Sequence, residues 1–98
     1  MILKFPIKRQ PNEYGAFNVM MPIGALILSV IEQNGDLMLY ALCSVNTEKQ
    51  EELPILVIGT GKEIPEETYE THKFLGTVKQ NSFVWHVLVP NENTPYQL

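Results

Sequence analysis

An Asn34-Gly35 pair between two apolar segments is the feature that most constrains what this chain can fold into. Asn-Gly accepts positive φ at both central positions of a type I′ turn, which is the favoured two-residue connection of a β-hairpin. The flanking segments, Leu26 to Glu32 and Leu37 to Val45, consist mainly of residues that suit β-strands. The sequence therefore predicts a long β-hairpin with its turn at Asn34-Gly35.

Two predicted strands are apolar on both faces, which is unusual for a strand with one side in water. They are Leu37 to Val45 and, near the end of the chain, Phe83 to Val89. A strand with one solvated face alternates apolar and polar residues. We therefore expect both faces of these strands to be covered, either by a second layer of the same chain or by another subunit. A tightly wrapped monomer and a homo-oligomer both remain open.

Shorter apolar runs between turn-forming residues predict the remaining strands. These runs are Ile2 to Phe5, Phe17 to Met21, Ile55 to Ile58 and Lys73 to Lys79. Gly76 indicates a β-bulge within the last of them. The segments 10–16 and 46–52 are predicted connections, and residues 64–68 are predicted to form one helical turn with Pro65 at its first position.

Together these elements predict a single small all-β domain. About seven short, mainly antiparallel strands with at most one short helical turn are typical of a sandwich or a partly closed barrel. A second core would leave each half of the 98-residue chain too small to bury enough surface. The predicted domain spans residues 1–89, and residues 90–98 are predicted to form a flexible C-terminal arm.

Composition limits the class of partner. The formal net charge is −4, from 11 acidic and 7 basic residues, whereas a nucleic-acid binder usually carries a basic excess. The single cysteine, Cys43, cannot form an intramolecular disulfide, which fits a reducing cytoplasm. No apolar run is long enough to cross a bilayer, and the N-terminus does not look like a signal peptide. We expect a cytoplasmic protein with no nucleic-acid partner and no membrane association.

Six sequence blocks in a fixed order resemble a family of small phage and prophage proteins whose domain is of unknown function. The blocks are MPxGAxILSV (21–30), QNG (33–35), LYAL (39–42), IGTGxxI (58–64), FLGTV (74–78) and FVWHV (83–87). The resemblance covers roughly residues 2–89. Three features depart from the family pattern: Tyr40 stands where a tryptophan is expected, the loop 10–18 is longer, and the tail after Val89 is extra.

The resemblance implies a phage accessory protein that acts in the cytoplasm of a host bacterium. Many small phage proteins inhibit host defences, and some are oligomeric binding proteins that sequester nucleotide-derived immune signals. This implication rests on the genomic setting that such proteins share, and not on a match of ligand-binding motifs.

The segment Gly59-Thr60-Gly61-Lys62 follows a predicted strand and invites comparison with a phosphate-binding loop. Glycines let backbone amides approach an anion, and a lysine can neutralise it. A full phosphate loop needs Gly-x-x-x-x-Gly-Lys-Ser/Thr leading into a helix, and here Glu63 replaces the hydroxyl residue. A strand-end turn that needs positive φ is the favoured interpretation, and contact with a phosphate or sugar hydroxyl is the alternative.

Three other residues are candidates for contact with a ligand. His86 lies between apolar residues on one strand face, where a histidine is usually a hydrogen-bonded core or interface residue and less often an acid-base group. Tyr40 could stack on a base, although core packing is the commoner role. Arg9, with Lys4 and Lys8, forms a small basic patch near the N-terminus.

The sequence therefore favours a non-enzymatic binding protein without metal or cofactor. One cysteine and two distant histidines give no metal-ligand spacing, and Cys43 is expected to be a small buried hydrophobe. The candidate ligand-binding residues are Arg9, Tyr40, Gly59, Thr60, Gly61, Lys62 and His86. The leading hypothesis is an oligomeric phage protein that sequesters a nucleotide-derived host signal. The alternatives are a module that binds a host or virion protein and a small enzyme with a cluster around His86 or Cys43.

Overall fold

The computed structural model describes residues 1–96, which form two antiparallel β-sheets that pack face to face. The elements are β1 (Ile2–Pro6), β2 (Gly15–Pro22), β3 (Leu26–Gln33), β4 (Asp36–Leu42), β5 (Gln50–Gly59), α1 (Thr68–Thr71), β6 (His72–Gln80), β7 (Phe83–Pro90) and a 3₁₀ turn (Asn91–Asn93). One sheet has the order β1-β4-β3 and the other β2-β5-β7-β6. The predicted all-β fold of seven strands is confirmed, in its sandwich form. No helix in residues 1–96 is long and apolar enough to span a membrane.

The predicted hairpin joins β3 and β4. Asn34 and Gly35 have φ of 53° and 89°, and Gln33 pairs with Asp36 across the turn. The Glu32 carboxylate accepts a hydrogen bond of 2.8 Å from the Gly35 amide. Two residues with positive φ are what a type I′ turn requires, so the local sequence alone determines this connection.

The core lies between the two sheets and takes alternate residues from each strand. Leu39 and Ala41 of β4 and Val57 and Val87 of the other sheet are completely buried. Trp85 is 2% exposed at one end of this layer. One face of each of the two apolar strands therefore forms the core, as the alternation of side chains along a strand requires.

The opposite faces of the same two strands are less well covered. On β4, Met38 and Tyr40 are half-buried and Leu42 is 44% exposed. On β7, Leu88 is buried but Val84 is 39% exposed. The described chain thus supplies no second layer over the outer face of β4, and the expected cover by another subunit stays a prediction.

β5 begins at Gln50, although the sequence predicts a connection over residues 46–52. The polar start of this strand pairs with β2, where Gln50 lies opposite Pro22. Pro54 lies inside β5. Because β5 pairs with β7 only from Leu56 onward, the β7 side of β5 is an open edge at Pro54. The lack of a proline N–H is tolerated at such an edge. Residues 50–52 resemble a loop in sequence because they are polar and acidic. In the structure two of these three side chains are exposed.

β6 contains the predicted bulge. Phe74 pairs with Leu88 and Gly76 with Val87, so Leu75 is the extra residue. The predicted helical turn is misplaced: Pro65 begins a turn in which its carbonyl accepts the Thr68 amide at 2.9 Å, and the helix α1 follows.

The predicted C-terminal arm begins with residues that contact β3 and the segment before it. The Asn93 side chain is buried and donates to the Ala25 carbonyl at 3.1 Å, and the Tyr96 hydroxyl donates to the Leu28 carbonyl at 2.9 Å. Residues 97 and 98 lie outside the described residues, and the flexibility of the arm stays a prediction.

Candidate functional site

A groove of about 480 Å³ lies at one end of the four-stranded sheet, where three connections meet. Its lining comes from the loop before β2, the turn after β5 and the start of β7. The lining residues are Asn12, Tyr14, Gly59, Thr60, Lys62, Ser82, Phe83, Val84 and Trp85. The pairing of Gly59 with Trp85 across β5 and β7 brings two of these segments together.

The turn from Gly59 to Lys62 is a type II β-turn. The Lys62 amide donates to the Gly59 carbonyl at 3.1 Å, and Gly61 occupies the third position with φ of 87°. The Thr60 amide donates to the Val84 carbonyl at 3.3 Å. Two of the amides that could cradle an anion are therefore engaged with backbone, which is the geometry of a strand-end turn. Lys62 faces the groove with its side chain, and Gly61 does not line it.

Aromatic rings form the other wall of the groove. Phe83 is 40% exposed and stacks on the buried Trp85, with ring centroids 5.4 Å apart and an interplanar angle of 15°. Tyr14 is 54% exposed, and the Lys62 ammonium lies 5.3 Å from its ring centroid. The groove thus presents two accessible rings and one cation, which can stack on a flat ligand and attract an anionic one.

Arg9 lies behind this wall and does not line the groove. Its guanidinium is 4.7 Å from the Trp85 ring centroid and donates to the Gln80 side chain at 2.7 Å. It also donates, at 3.0 Å each, to the carbonyls of Gln10, Pro11 and Glu13. Burial lowers the Arg9 pKa, and the nearby carboxylates of Glu13 and Asp36 oppose that effect. The predicted ligand-binding arginine therefore fixes the loop that carries Asn12 and Tyr14.

Gln80 completes the network behind the wall. Its side-chain oxygen accepts from the Trp85 indole at 3.0 Å as well as from Arg9, and its amide nitrogen donates to the Gly35 carbonyl at 2.6 Å. Gln80 is 6% exposed, so these bonds satisfy a buried amide. The network links the β3–β4 turn, the end of β6 and the loop before β2.

His86 adjoins the groove from the outer face of the sheet. Its Nε2 lies 2.8 Å from the Thr60 hydroxyl and its Nδ1 lies 2.9 Å from the Thr77 hydroxyl. A threonine hydroxyl can both donate and accept, so Thr60 and Thr77 can each serve as a partner of the ring nitrogen that they face. The favoured interpretation of His86 as a hydrogen-bonded residue agrees with these contacts. His86 itself does not line the groove, but it contacts Thr60, which does.

Tyr40 and Cys43 lie in the other sheet or at its end, away from the groove. The Tyr40 hydroxyl donates to the Gln33 side chain at 2.5 Å on the outer face of the three-stranded sheet. Cys43 is buried, and burial raises the pKa of its thiol. A neutral thiol is a poor nucleophile. Within residues 1–96 no three His, Cys, Asp or Glu side chains are grouped closely enough to hold a metal ion.

Comparison with protein families places almost the whole chain in one family, since a family model matches residues 1–97. The chain belongs to the family described as Domain of unknown function (DUF7352). The expected membership of a family whose domain has no assigned function is confirmed, and the phage origin implied by the resemblance stays a prediction. No curated protein and no solved structure matches the chain.

For this DUF7352 chain, the predicted ligand-binding residues include the side of the groove that carries Lys62 and leave out its aromatic side. Gly59, Thr60 and Lys62 line the groove, and their predicted contact with a ligand stays a prediction, whereas Phe83 and Trp85 were expected only as strand and core residues. The sequence does indicate Tyr14 as an aromatic residue in a predicted loop, since it lies in a segment rich in turn-forming residues. Asn12 and Ser82 complete the lining. No sequence pattern indicates them, because only the pairing of the strands brings their loops together.

Proposed function

We propose that this chain is a non-enzymatic binding protein that holds a small nucleotide-type ligand in the groove. The observation that supports the proposal is the presence of two exposed aromatic rings, Tyr14 and Phe83, beside the ammonium of Lys62 in one concave surface. Stacking of a base on an aromatic side chain contributes about 1–3 kcal/mol and tolerates different bases. A lysine adds the point charge that a phosphate requires.

The proposed setting is a phage infection. There the ligand would be a nucleotide-derived immune signal of the host, and the protein would reduce its free concentration in the bacterial cytoplasm by binding it. Sequestration needs a binding site and no catalytic group. The resemblance to small phage proteins supports this setting, and self-association through the apolar outer face of a sheet is part of the proposal.

Ligand binding is tested by substitution of an aromatic side chain of the groove. We expect Tyr14→Leu to weaken binding of nucleotides by about 5- to 150-fold, the equivalent of one stacking interaction. Tyr69→Leu is the matched control, because Tyr69 is 66% exposed and does not line the groove. Binding is measured by isothermal titration calorimetry, after native mass spectrometry with nucleotide mixtures has identified a ligand.

Two results would count against the nucleotide proposal. One is a strict monomer that retains no ligand from any nucleotide mixture. The other is an equal decrease of affinity in Tyr14→Leu and Tyr69→Leu, which would place the binding site elsewhere.

A second candidate function is a protein-interaction module that binds a host or virion protein. The observation that favours it is the outer face of the three-stranded sheet, where two rows of paired apolar residues flank a mixed row. One row is Ile2, Leu42 and Leu26, and the other is Pro6, Met38 and Ile31. Exposed apolar patches of this kind commonly mark interaction sites. This function predicts that a tagged copy retrieves one specific protein and that nucleotides do not bind.

A further inference from the structure

The groove contains one charged side chain, and its position suggests a role in ligand selection. Lys62 is the sole charged residue in the groove lining, in a chain whose formal net charge is −4. Its ammonium lies over the Tyr14 ring, 5.3 Å from the centroid. The same cation therefore covers one of the two rings that a flat ligand would use.

A ligand ring stacked on Tyr14 cannot share that place with the ammonium. Stacked atoms lie about 3.5–4.0 Å apart. Because the Lys62 ammonium lies over the Tyr14 ring, 5.3 Å from its centroid, a ligand ring centred on the same face at that height would come closer to the ammonium than van der Waals distance. The Lys62 side chain is exposed and has a flexible stem, so it can move away from the ring.

The interaction that the ammonium makes after it moves depends on the ligand. A neutral ligand that stacks on the Tyr14 ring has no anionic group for the ammonium to bind. Its binding therefore breaks the cation–π interaction without replacing it. A ligand with a phosphate group within reach of the lysine stem accepts a charged hydrogen bond, which is stronger than the cation–π interaction at an exposed site. The hydroxyl and amide groups of Ser82, Thr60 and Asn12 line the same groove and can share the anion.

We propose that Lys62 makes the groove selective for the phosphorylated form of a ligand with an aromatic ring, because the ammonium competes with the ligand ring for Tyr14 and only an anionic ligand replaces the interaction that the ammonium loses. This inference rests on the proposed function and adds the ligand class to it. Lys62 is then a specificity-determining residue with opposite effects on nucleotides and nucleosides. An ordinary electrostatic contact would act on the nucleotide alone.

The test compares four ribonucleoside monophosphates with their four parent nucleosides, using wild type and Lys62→Met. Methionine keeps an unbranched apolar stem and removes the charge. In wild type we expect the monophosphate to bind about 10- to 150-fold more tightly than its nucleoside, the range for a hydrogen bond to a charged group. In Lys62→Met that ratio should fall close to one, while the nucleoside itself binds about two- to fivefold more tightly because the cation–π competitor is gone.

Two further variants identify the source of the effect. Lys49→Met is the matched control, because Lys49 is exposed, does not line the groove and precedes β5 at the end opposite Gly59, so this change should leave both affinities unchanged. In a Tyr14→Leu background, Lys62→Met should no longer improve nucleoside binding, since the ring for which the cation competes is absent. Dissociation constants are measured by calorimetry at two salt concentrations, and the salt dependence of monophosphate binding should decrease in Lys62→Met.

The outcomes separate this inference from the proposed function. If neither form of any probe binds to wild type, the proposed nucleotide function fails and the inference with it. If both forms bind and Lys62→Met leaves their ratio unchanged, only the inference is overturned. If monophosphate affinity falls and nucleoside affinity does not rise, the lysine attracts the anion without competing for Tyr14, and the proposed competition is overturned.

Discussion

Arg9 shows at the scale of one residue how a sequence-level candidate can have a different role in the folded chain. Its charge and position near two lysines suggested contact with an anion, but its guanidinium donates to three loop carbonyls and to Gln80. Arg9 thereby holds residues 10–13 and, through them, the Tyr14 side of the groove. Sequence reasoning could not separate these roles, because the carbonyls that bind Arg9 carry no side-chain signature.

Removal of this guanidinium should reduce stability. We expect Arg9→Met to lower the free energy of unfolding by about 1.5–3 kcal/mol, because it removes hydrogen bonds to a charged group and leaves the Gln80 oxygen with one fewer donor. Lys8→Met is the control, since an exposed neighbour without such contacts should change stability by less than about 0.5 kcal/mol. Urea denaturation measures both values. Equal midpoints for the two variants would show that the Arg9 contacts contribute nothing to stability.

At the scale of elements, prediction succeeded where the signal was local. The Asn34-Gly35 hairpin follows from two residues that tolerate positive φ, and the bulge before Gly76 coincides with a glycine inside a strand pattern. The start of β5 at Gln50 could not be predicted in this way. Its first residues are polar and acidic, as in a loop, and they form a strand because they pair with β2. The position of Pro54 also depends on how far β7 extends along β5, which no local pattern encodes.

The bulge in β6 also provides a test of how the two sheets pack. A Cβ added at Gly76 would lie 3.3 Å from a methyl group of Val30 in the facing sheet. We expect Gly76→Ala to destabilise the fold by about 1 kcal/mol, the lower end of the cost of overpacking a core. In a Val30→Ala background the additional cost should become smaller. Urea denaturation of the four proteins of this double-mutant cycle measures the coupling, and strict additivity would contradict close contact at this point.

At the scale of the whole molecule, the sandwich separates two surfaces of different character. The groove at one end of the four-stranded sheet combines rings, amides and a cation, whereas the outer face of the three-stranded sheet is mainly apolar. The sequence indicated an excess of apolar surface on β4, and the structure places that excess on the outer face, opposite the core. Ligand binding and self-association can therefore occur together without competing for one surface.

Self-association through that apolar face can be tested with a pair of variants matched in exposure. Ile31 and Phe74 are both 44% exposed, but Ile31 lies on the outer face of the three-stranded sheet and Phe74 on that of the other sheet. Sedimentation velocity over a range of concentrations should show weak association of wild type, which Ile31→Lys abolishes and Phe74→Lys leaves unchanged, because a buried lysine opposite an apolar row has no partner.

The expected weakness of this association follows from the size of the face. Three strands about 4.8 Å apart and five residues long have a flat area of roughly 240 Å². Side-chain relief enlarges the accessible surface of this face, but a standard interface takes approximately 800 Å² of accessible surface from each partner. Association that is already complete at low concentration would therefore require a larger surface than this face. A wild type that stays monomeric at all concentrations, or an equal decrease of association in both variants, would contradict a role for this face, and the groove would then have to bind its ligand within a single chain.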